Sequence, residues 1–232
     1  MLELDKILVR QGAFSLAADC KIEAAKRLVI TGPSGAGKST LLSVIAGFFA
    51  PSKGRILWQE REITQATPSE RPVAMLFQDG NLFPHLTVWQ NAALGLRPSL
   101  KLNQDEKARV KAALERVELA EFAQRKPGDL SGGQQSRVAL ARVLLQDKPL
   151  ILLDEPFAAL GPALRQQMLA LVDEIAAERG AGVLMVSHDP QDAKSFADQV
   201  ILVADGQVHA PRETAEIFAN PPAALVAYLG ES

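Results

Sequence analysis

The sequence predicts an α/β fold built on a largely parallel β-sheet, and two observations carry this prediction. Short apolar runs alternate with amphipathic segments along most of the chain, as strands do with crossover helices. In the middle of the chain the strand pattern stops and apolar residues recur at helical spacing. The 232 residues are enough for one well-packed domain with a second, smaller lobe.

Five short apolar runs are the predicted strands. Each is rich in leucine or β-branched residues and is bounded by polar or turn residues, as expected of strands that a parallel sheet buries on both faces. The runs cover residues 28–31, 73–77, 150–153, 183–186 and 200–203.

A helical lobe is predicted between about residues 87 and 126. The stretch DEKARVKAALERVELAEFA places apolar residues at helical spacing with charged residues between them. We interpret its lysines and glutamates as a solvated helix face rather than a binding site. Because predicted strands lie on both sides of this segment in the sequence, we expect the lobe to be an insertion into the sheet domain.

Composition and charge exclude several classes of protein. The formal net charge is −2 and the charged residues are scattered, so we expect no nucleic-acid partner. Cys20 is the single cysteine, which excludes an intramolecular disulfide or cysteine-based zinc site and fits a core thiol in a reducing compartment. The N-terminus lacks a signal-peptide pattern, and no window approaches about 18 uninterrupted apolar residues. We expect a chain that is neither exported by such a signal nor inserted across a membrane.

The segment GPSGAGKS, residues 32–39, has the spacing of a phosphate-binding P-loop and lies between a predicted strand and an amphipathic helix. Its glycines let backbone N–H groups turn toward phosphate oxygens, and the helix N-terminus adds partial positive charge. We expect Lys38 to bind the β- and γ-phosphates and Ser39 to ligate Mg²⁺. The predicted nucleotide-binding residues are Gly32, Pro33, Ser34, Gly35, Ala36, Gly37, Lys38, Ser39 and Thr40.

Two adjacent carboxylates, Asp154 and Glu155, follow the apolar run at residues 150–153. A strand that ends in aspartate beside a P-loop supplies a second Mg²⁺ ligand. Glu155 is then placed to activate a water molecule and is the candidate general base. Two ionised neighbours at the end of a buried run repel each other unless a cation binds one of them, which favours a metal site over a solvated strand end.

Two further polar residues, Gln78 and His188, also follow predicted strands. Because parallel strands present their C-terminal ends on the ligand side, we expect both side chains to face the γ-phosphate. Alone, such a glutamine is more often a turn residue, and a lone histidine is more often structural. Their joint placement beside the P-loop favours a catalytic role.

The motif LSGGQ, residues 130–134, precedes the helical run SRVALARVLL and is a second glycine-rich helix start. With the P-loop, Gln78, LLDEP and His188 in this order, the sequence resembles the ATP-binding subunit of an ABC transporter over almost its whole length. The resemblance implies a P-loop NTPase fold with a RecA-like parallel core, a small N-terminal antiparallel β part and an inserted helical subdomain. It implies one domain, residues 1–232, with a core lobe at 1–78 and 150–232 and a helical subdomain at 79–149 that carries the signature motif and its following helix.

The same resemblance implies how ATP is bound and cleaved. Each ATP lies in a head-to-tail homodimer, between the P-loop of one copy and the signature motif of the other, and ATP binding closes the dimer. The catalytic residues are Glu155, His188 and Gln78, and Mg²⁺ is held by Ser39, Gln78 and Asp154. The signature residues acting in trans are Leu130, Ser131, Gly132, Gly133 and Gln134.

The implied partners place the chain at a membrane. The stretch FQDGNLFPHLTVWQNAALGL, residues 77–96, resembles the importer segment that forms a groove for a helix of the permease. The candidate contacts are Phe83, Pro84, Leu86 and Trp89, and tryptophan is a frequent hot-spot residue. The alternative is that Phe83 and Trp89 pack the helical lobe. A periplasmic solute-binding protein would act indirectly, with the chain bound peripherally to the cytoplasmic face of the bacterial inner membrane.

Within the family, GLRPSLKLN and DEPFAALGPALRQQML resemble the ATP-binding subunits of thiamine importers. Iron, polyamine and molybdate importers remain alternatives, because this subunit does not itself contact the solute. A soluble ABC ATPase acting on DNA or ribosomes would favour tandem cassettes, a coiled-coil insertion or a basic surface. A purely regulatory nucleotide-binding module would lack Glu155, His188 or the signature motif.

Two positions depart from the family pattern. The segment LVRQGAF offers only Phe14 for stacking on adenine, and its alternation with Leu16 predicts an inward-facing strand position. Gly161 stands where the family usually has an aspartate. Because Pro162 is suited to the first position of a helix, we predict Gly161 as the N-cap of the helix that follows.

Overall fold

The computed structural model describes residues 1–23, 26–158 and 160–230. Its strands are β1 (Leu2–Gln11), β2 (Phe14–Ile22), β3 (Arg27–Thr31), β4 (Lys53–Trp58), β5 (Arg61–Glu62), β6 (Val73–Leu76), β7 (Leu150–Asp154), β8 (Gly182–Val186), β9 (Gln199–Ala204), β10 (Gln207–Val208) and β11 (Arg212–Glu213). Its helices are α1 (Lys38–Ala46), α2 (Val88–Ala93), α3 (Gln104–Arg116), α4 (Gly132–Leu145), α5 (Pro162–Arg179), α6 (Pro190–Phe196), α7 (Thr214–Ala219) and α8 (Ala223–Gly230). Within these described ranges, no helix combines the length and apolarity that a membrane span needs.

The sheet confirms the predicted fold class. Its strand order is β5-β4-β1-β2-β10-β9-β3-β8-β7-β6, with β11 paired to β9. The five predicted strands are β3, β6, β7, β8 and β9, each within one residue of its predicted bounds at either end, and they run parallel. Strand β1 pairs antiparallel with β2 and β4. Because β3, β7 and β8 are parallel neighbours, the loops after their carboxyl ends meet at one edge of the sheet.

Hydrophobic layers cover both faces of the parallel strands. In β3, Leu28 and Ile30 pack with α1 and the N-terminal strands, whereas Val29 packs with helices on the other side. All three side chains are buried. This explains why the predicted strands are continuous apolar runs without polar alternation. Cys20 lies in the layer with α1, and burial raises the pKa of its thiol to about 11, as expected of a core cysteine.

The helical insertion between β6 and β7 contains α2, α3, α4 and short 3₁₀ helices at Ala120–Phe122 and Pro127–Asp129. Helix α2 packs against both α3 and α4. Each of these three α-helices begins with a capping box, in which the N-cap and N3 side chains bond each other's backbone N–H. The pairs are Thr87 with Gln90, Asn103 with Glu106, and Ser131 with Gln134. Local side-chain chemistry therefore determines where the helices of the insertion start.

A buried arginine satisfies the C-terminal end of α1. Arg71 is 1% exposed. Its guanidinium donates to the carbonyls of Val44 and Ile45 at 2.9 Å, Thr64 at 2.8 Å and Ala66 at 3.1 Å. The last carbonyls of a helix have no intrahelical donor, so Arg71 supplies the missing hydrogen bonds. It thereby fixes the far end of the helix whose N-terminus follows the P-loop.

Candidate active site

The P-loop connects β3 to α1 and requires glycine at two positions. Gly32 has φ 142°, and a Cβ there would lie 2.0 Å from the carbonyl oxygen of Val203. Gly37 has φ 103°, and a Cβ there would lie 2.7 Å from Cζ of the Phe14 ring. Since L-residues rarely adopt these φ values, the loop can pass this close to its neighbours only with glycine. The helix that follows begins at Lys38.

Lys38 places its ammonium inside the loop. Its Nζ donates to the carbonyl oxygens of Gly32 at 2.7 Å and Pro33 at 2.8 Å, and the residue is 5% exposed. Burial lowers the pKa of Lys38, against the opposing effect of the nearby carboxylates of Glu155 and Asp154. Two of the three ammonium protons are used by these carbonyls, which leaves the third for a phosphate oxygen.

Asp154 and Ser39 bring the second motif to the P-loop. Ser39 Oγ donates to Asp154 Oδ1 at 2.9 Å, across 115 positions of sequence. Asp154 ends β7 and is 7% exposed, so burial raises the pKa of its carboxyl. The hydrogen bond from Ser39 opposes this rise, and the charge of Glu155 adds to it. A hydroxyl and a carboxylate that face each other at a phosphate site are hard oxygen donors suited to Mg²⁺.

Glu155 and His188 form the other side of the site. Nε2 of His188 lies 2.5 Å from Oε1 of Glu155, and the Glu155 side chain is 15% exposed. Glu155 has φ 46°, a left-handed backbone conformation that costs a non-glycine residue on the order of 1 kcal/mol. Such strain is concentrated at functional positions. It turns Glu155 away from the direction of β7 immediately after Asp154.

Most of these side chains line one cavity of about 320 Å³. It is lined by Gln11, Phe14, Ser34, Gly35, Gly37, Lys38, Ser39, Thr40, Glu155 and His188. Of the remaining predicted P-loop residues, Gly32 and Pro33 contact Lys38, and Ala36 packs against the hydrophobic layer. Phe14 is packed at the cavity wall, against both Gly37 and that layer, so the inward-facing prediction for its strand position is confirmed.

Gln78 lies apart from this cavity in the described part of the chain. It is exposed, two residues after β6, beside a turn in which Gly80 N–H bonds the Phe77 carbonyl at 2.8 Å. The structure therefore brings Lys38, Ser39, Asp154, Glu155 and His188 together, but does not include Gln78 in the cavity wall.

The signature motif also lies outside this cavity wall. Leu130 is buried, and Ser131 is the N-cap of α4, where its Oγ accepts from the N–H of Gln134 at 3.3 Å. Gly132 has open space where a Cβ would be, whereas Gly133 lies against the side chain of Leu164 in α5. The motif thus presents an exposed serine at a helix N-terminus.

The candidate permease contacts lie on a loop held by a buried asparagine. Asn91 is fully buried; it accepts from Phe83 N–H at 2.8 Å and donates to the Phe83, Leu86 and Thr87 carbonyls at 3.0 to 3.2 Å. Phe83 is 46% exposed and Pro84 is exposed. Leu86 is half-buried, and Trp89 is half-buried against the core of the helical insertion.

Gly161 is the N-cap of α5, and Pro162 is its first residue, as predicted. Its φ of −65° and ψ of 157° are open to any residue, and its position leaves open space for a Cβ. Glycine is therefore not required here by the backbone.

Three residues near the site were not identified from the sequence. Gln11 reaches the cavity because β1 and β2 form a hairpin in which it faces Phe14. Arg165, in the first turn of α5, contacts the residues around His188. Tyr228, in α8, donates to the His188 carbonyl at 2.7 Å. The glycine turn at Gly12 is a local signal for the hairpin, but the contacts of Arg165 and Tyr228 have no local pattern.

Comparisons with known proteins agree with this geometry. Residues 17–158 match the family model described as ABC transporter. The thiamine import ATP-binding protein of Cereibacter sphaeroides is 61% identical over 230 residues, which cover 99% of this chain and 100% of that protein. The protein of the same name from Yersinia pestis is 48% identical over 208 residues, covering 90% of this chain and 88% of that protein.

Solved structures show the same fold. A dimeric ATP-binding cassette in a post-hydrolysis state, bound to ADP and Pi, matches with a TM-score of 0.81 at 29% identity, over 92% of this chain and 99% of that one. A nucleotide-free cassette from an ABC transporter matches with a TM-score of 0.85 at 24% identity, over 98% of both chains. The chain therefore belongs to the ABC transporter family, within which it groups with the thiamine import ATP-binding proteins.

Proposed function

We propose that this chain is the ATP-hydrolysing subunit of an importer and that the imported solute is thiamine or its phosphates. The observation that carries the proposal is the contact between Glu155 and His188 at the cavity that Lys38 and Ser39 line. The relatives that are 61% and 48% identical are named for thiamine import, which favours thiamine over iron, polyamines and molybdate.

The chain's own residues account for ATP binding and cleavage. Lys38 binds the β- and γ-phosphates from within the loop, where backbone N–H groups surround the same oxygens. Glu155 accepts a proton from the water that attacks the γ-phosphate. His188 holds the Glu155 carboxylate in position and contacts the same phosphate. Each of these roles uses charge placement rather than a covalent intermediate, as phosphoryl transfer generally does.

The donor set of this site fits Mg²⁺. The ion binds proteins through one or two carboxylates, together with water and substrate phosphates, and Asp154 with Ser39 supplies that combination. When bound, Mg²⁺ would neutralise charge on the β- and γ-phosphates. We assign Gln78 as a further Mg²⁺ ligand. Because Gln78 lies outside the cavity wall, this role requires the turn that follows β6 to move. No group of three or more His, Cys, Asp or Glu residues in the described chain forms an alternative metal cluster.

The signature motif acts on the ATP of a second copy in a head-to-tail homodimer. Ser131 is exposed at the N-terminus of α4, where a phosphate would meet both its hydroxyl and the helix dipole. The related cassette that is 29% identical is dimeric with ADP and Pi bound. We expect a residue larger than glycine at position 133 to be poorly accommodated, because the side chains of Leu160 and Leu164 lie beside it.

A permease docks on the loop held by Asn91 and keeps the chain at the cytoplasmic face of the inner membrane. Phe83 and Pro84 offer exposed apolar surface on this loop, and the half-buried Leu86 and Trp89 are the other two candidate contacts. The loop is fixed by the buried amide, so docking requires little ordering of backbone. A periplasmic solute-binding protein acts through the permease, and no nucleic acid takes part.

Uptake of labelled thiamine tests the solute. The gene is deleted in the source organism and restored as wild type or as Glu155→Gln, with equal expression checked by immunoblot. We expect only the wild type to restore thiamine uptake, while uptake of labelled putrescine stays the same in all strains. Restored putrescine uptake with unchanged thiamine uptake would assign the chain to a polyamine importer.

A further inference from the structure

A cluster of polar side chains joins the first turn of α5 to the segment that carries His188. Nη2 of Arg165 donates to Ser187 Oγ at 3.1 Å and also to the carboxylate of Asp192. Nη1 of the same guanidinium lies 3.6 Å from Oδ2 of Asp189. Ser187 and Asp192 are 3% and 5% exposed, so these two members of the cluster are screened from water, whereas Arg165 and Asp189 are partly exposed.

The cluster fixes the residues on both sides of His188. Ser187 Oγ donates to Asp192 Oδ2 at 2.5 Å and accepts from the N–H of Asp189 at 3.0 Å. Ser187 and Asp189 are therefore held to each other and to Arg165. His188 lies between them, so the direction of its side chain depends on this arrangement.

The cluster also borders the reacting groups. Arg165, Ser187 and Asp192 line a cavity of about 400 Å³ together with Glu155 and His188. Arg165 N–H bonds the carbonyl of Gly161 at 3.0 Å, within the first turn of α5. A single side chain thus connects the start of α5 to the segment that meets Glu155.

We propose that Arg165 is a positioning residue, which holds His188 against Glu155 and makes that contact depend on the position of α5. The inference rests on the proposed roles of Glu155 and His188. Its alternative is an ion pair that stabilises the fold without affecting the reaction. Arginine suits the positioning role because its planar fork reaches Ser187, Asp189 and Asp192 in one geometry, which a lysine ammonium cannot reproduce.

Arg165→Lys separates the two roles, since it keeps a positive charge beside the buried carboxylate of Asp192. We expect an unfolding temperature near wild type, a kcat for ATP hydrolysis about tenfold lower and a KM for ATP within about twofold. Arg116→Lys is the matched control, because Arg116 pairs with Glu174 and Glu178 farther along α5. It should leave kcat unchanged.

A spectroscopic readout reports the position of His188 directly. The chain has three histidines, so Ala substitution of His188 assigns its imidazole signal in a ¹H–¹⁵N spectrum of the full chain. We expect Arg165→Lys to shift the His188 signal and leave those of His85 and His209 in place. Ser187→Ala, which keeps the Arg165–Asp192 pair and hence the fold, should shift the same signal and lower kcat.

The outcomes distinguish this inference from the proposed function. If His188→Ala abolishes turnover but the Arg165 and Ser187 variants keep wild-type kcat and an unmoved His188 signal, the cluster is only structural and the inference is wrong. If His188→Ala itself hydrolyses ATP at the wild-type rate, the proposed role of His188 fails and the inference fails with it.

Discussion

Ser39 and Asp154 share a hydrogen bond of 2.9 Å that joins the start of α1 to the end of β7. The pair unites a hydroxyl from the phosphate-binding loop with a carboxylate that burial makes costly to ionise. A cation at this position would relieve that cost. The proposed Mg²⁺ site is therefore also the place where burial of the Asp154 carboxylate is costly.

Asp154→Asn should raise stability without metal and abolish metal-dependent turnover. The folded-state pKa of Asp154 is raised, so its ionised form destabilises the fold at neutral pH, and an amide removes that charge. We expect an unfolding temperature in EDTA equal to or above that of wild type, and loss of Mg²⁺-stimulated ATP hydrolysis. Scanning calorimetry and a phosphate-release assay check both. A lower unfolding temperature with retained turnover would contradict the metal assignment.

Gly161→Asp should strengthen communication between the two ATP sites. The position has ordinary dihedral angles and open space, so the aspartate fits, and as an N-cap it stabilises α5 by only about a few tenths of a kcal/mol over glycine. The resemblance to ABC transporter subunits implies that the family's aspartate lies at the dimer interface, so we expect a higher Hill coefficient for ATP with little change in unfolding temperature. An unchanged Hill coefficient, or a change confined to the melting temperature, would make Gly161 only a turn residue.

Nucleotide selectivity should be loose. Phe14 lines the cavity, but its ring is packed against Gly37 and the hydrophobic layer rather than standing free as a stacking platform. Base stacking contributes about 1–3 kcal/mol where it occurs and tolerates any base, so we expect GTP to compete with ATP within about tenfold. Competition binding with a fluorescent nucleotide measures this. A preference for ATP of about a hundredfold would contradict this prediction and show that the site distinguishes adenine from guanine.

Much of the fold and of the candidate site could be predicted from the sequence, because these features depend on local sequence patterns. Buried parallel strands are continuous apolar runs, which is why β3, β7 and β8 were predicted within one residue at either end. The P-loop has a characteristic spacing, and Asp154 and Glu155 are adjacent at a strand end. The sequence therefore predicts a phosphate-binding and a metal-binding role for them without the contact between Ser39 and Asp154.

The remaining features depend on long-range contacts. Arg71 bonds carbonyls of α1, and Arg165 bonds a segment that follows β8, and neither pairing has a sequence pattern. The placement of Gln78 in an exposed turn is likewise set by tertiary structure, since a strand end alone does not determine where the next side chain points. The proposed action of Ser131 on the ATP of a second copy concerns an assembly, so the contacts within one chain do not test it.

Arg71→Met should destabilise the protein without changing the chemistry of the site. It leaves buried carbonyls at the end of α1 without donors, and each such group costs about 1–3 kcal/mol. We expect the free energy of unfolding in urea to fall by about 3 kcal/mol. Arg55→Met, which removes an exposed ion pair with Asp5, is the control and should leave the urea midpoint unchanged. If both substitutions lowered the free energy of unfolding equally, the proposed role of Arg71 as the donor to the last carbonyls of α1 would be wrong.

Glu155→Gln tests the central claim most directly, with turnover, ATP affinity and molecular mass measured on one preparation in the presence of Mg²⁺. The amide keeps the shape of the side chain but cannot accept a proton, so we predict that kcat falls by about 100-fold or more, that ATP affinity stays within a few-fold, and that ATP traps a dimer seen by light scattering. Lys38→Ala is the matched comparison and should lose ATP affinity itself, because it removes the charge at the centre of the phosphate loop. ATP hydrolysis by Glu155→Gln near the wild-type rate would contradict the account.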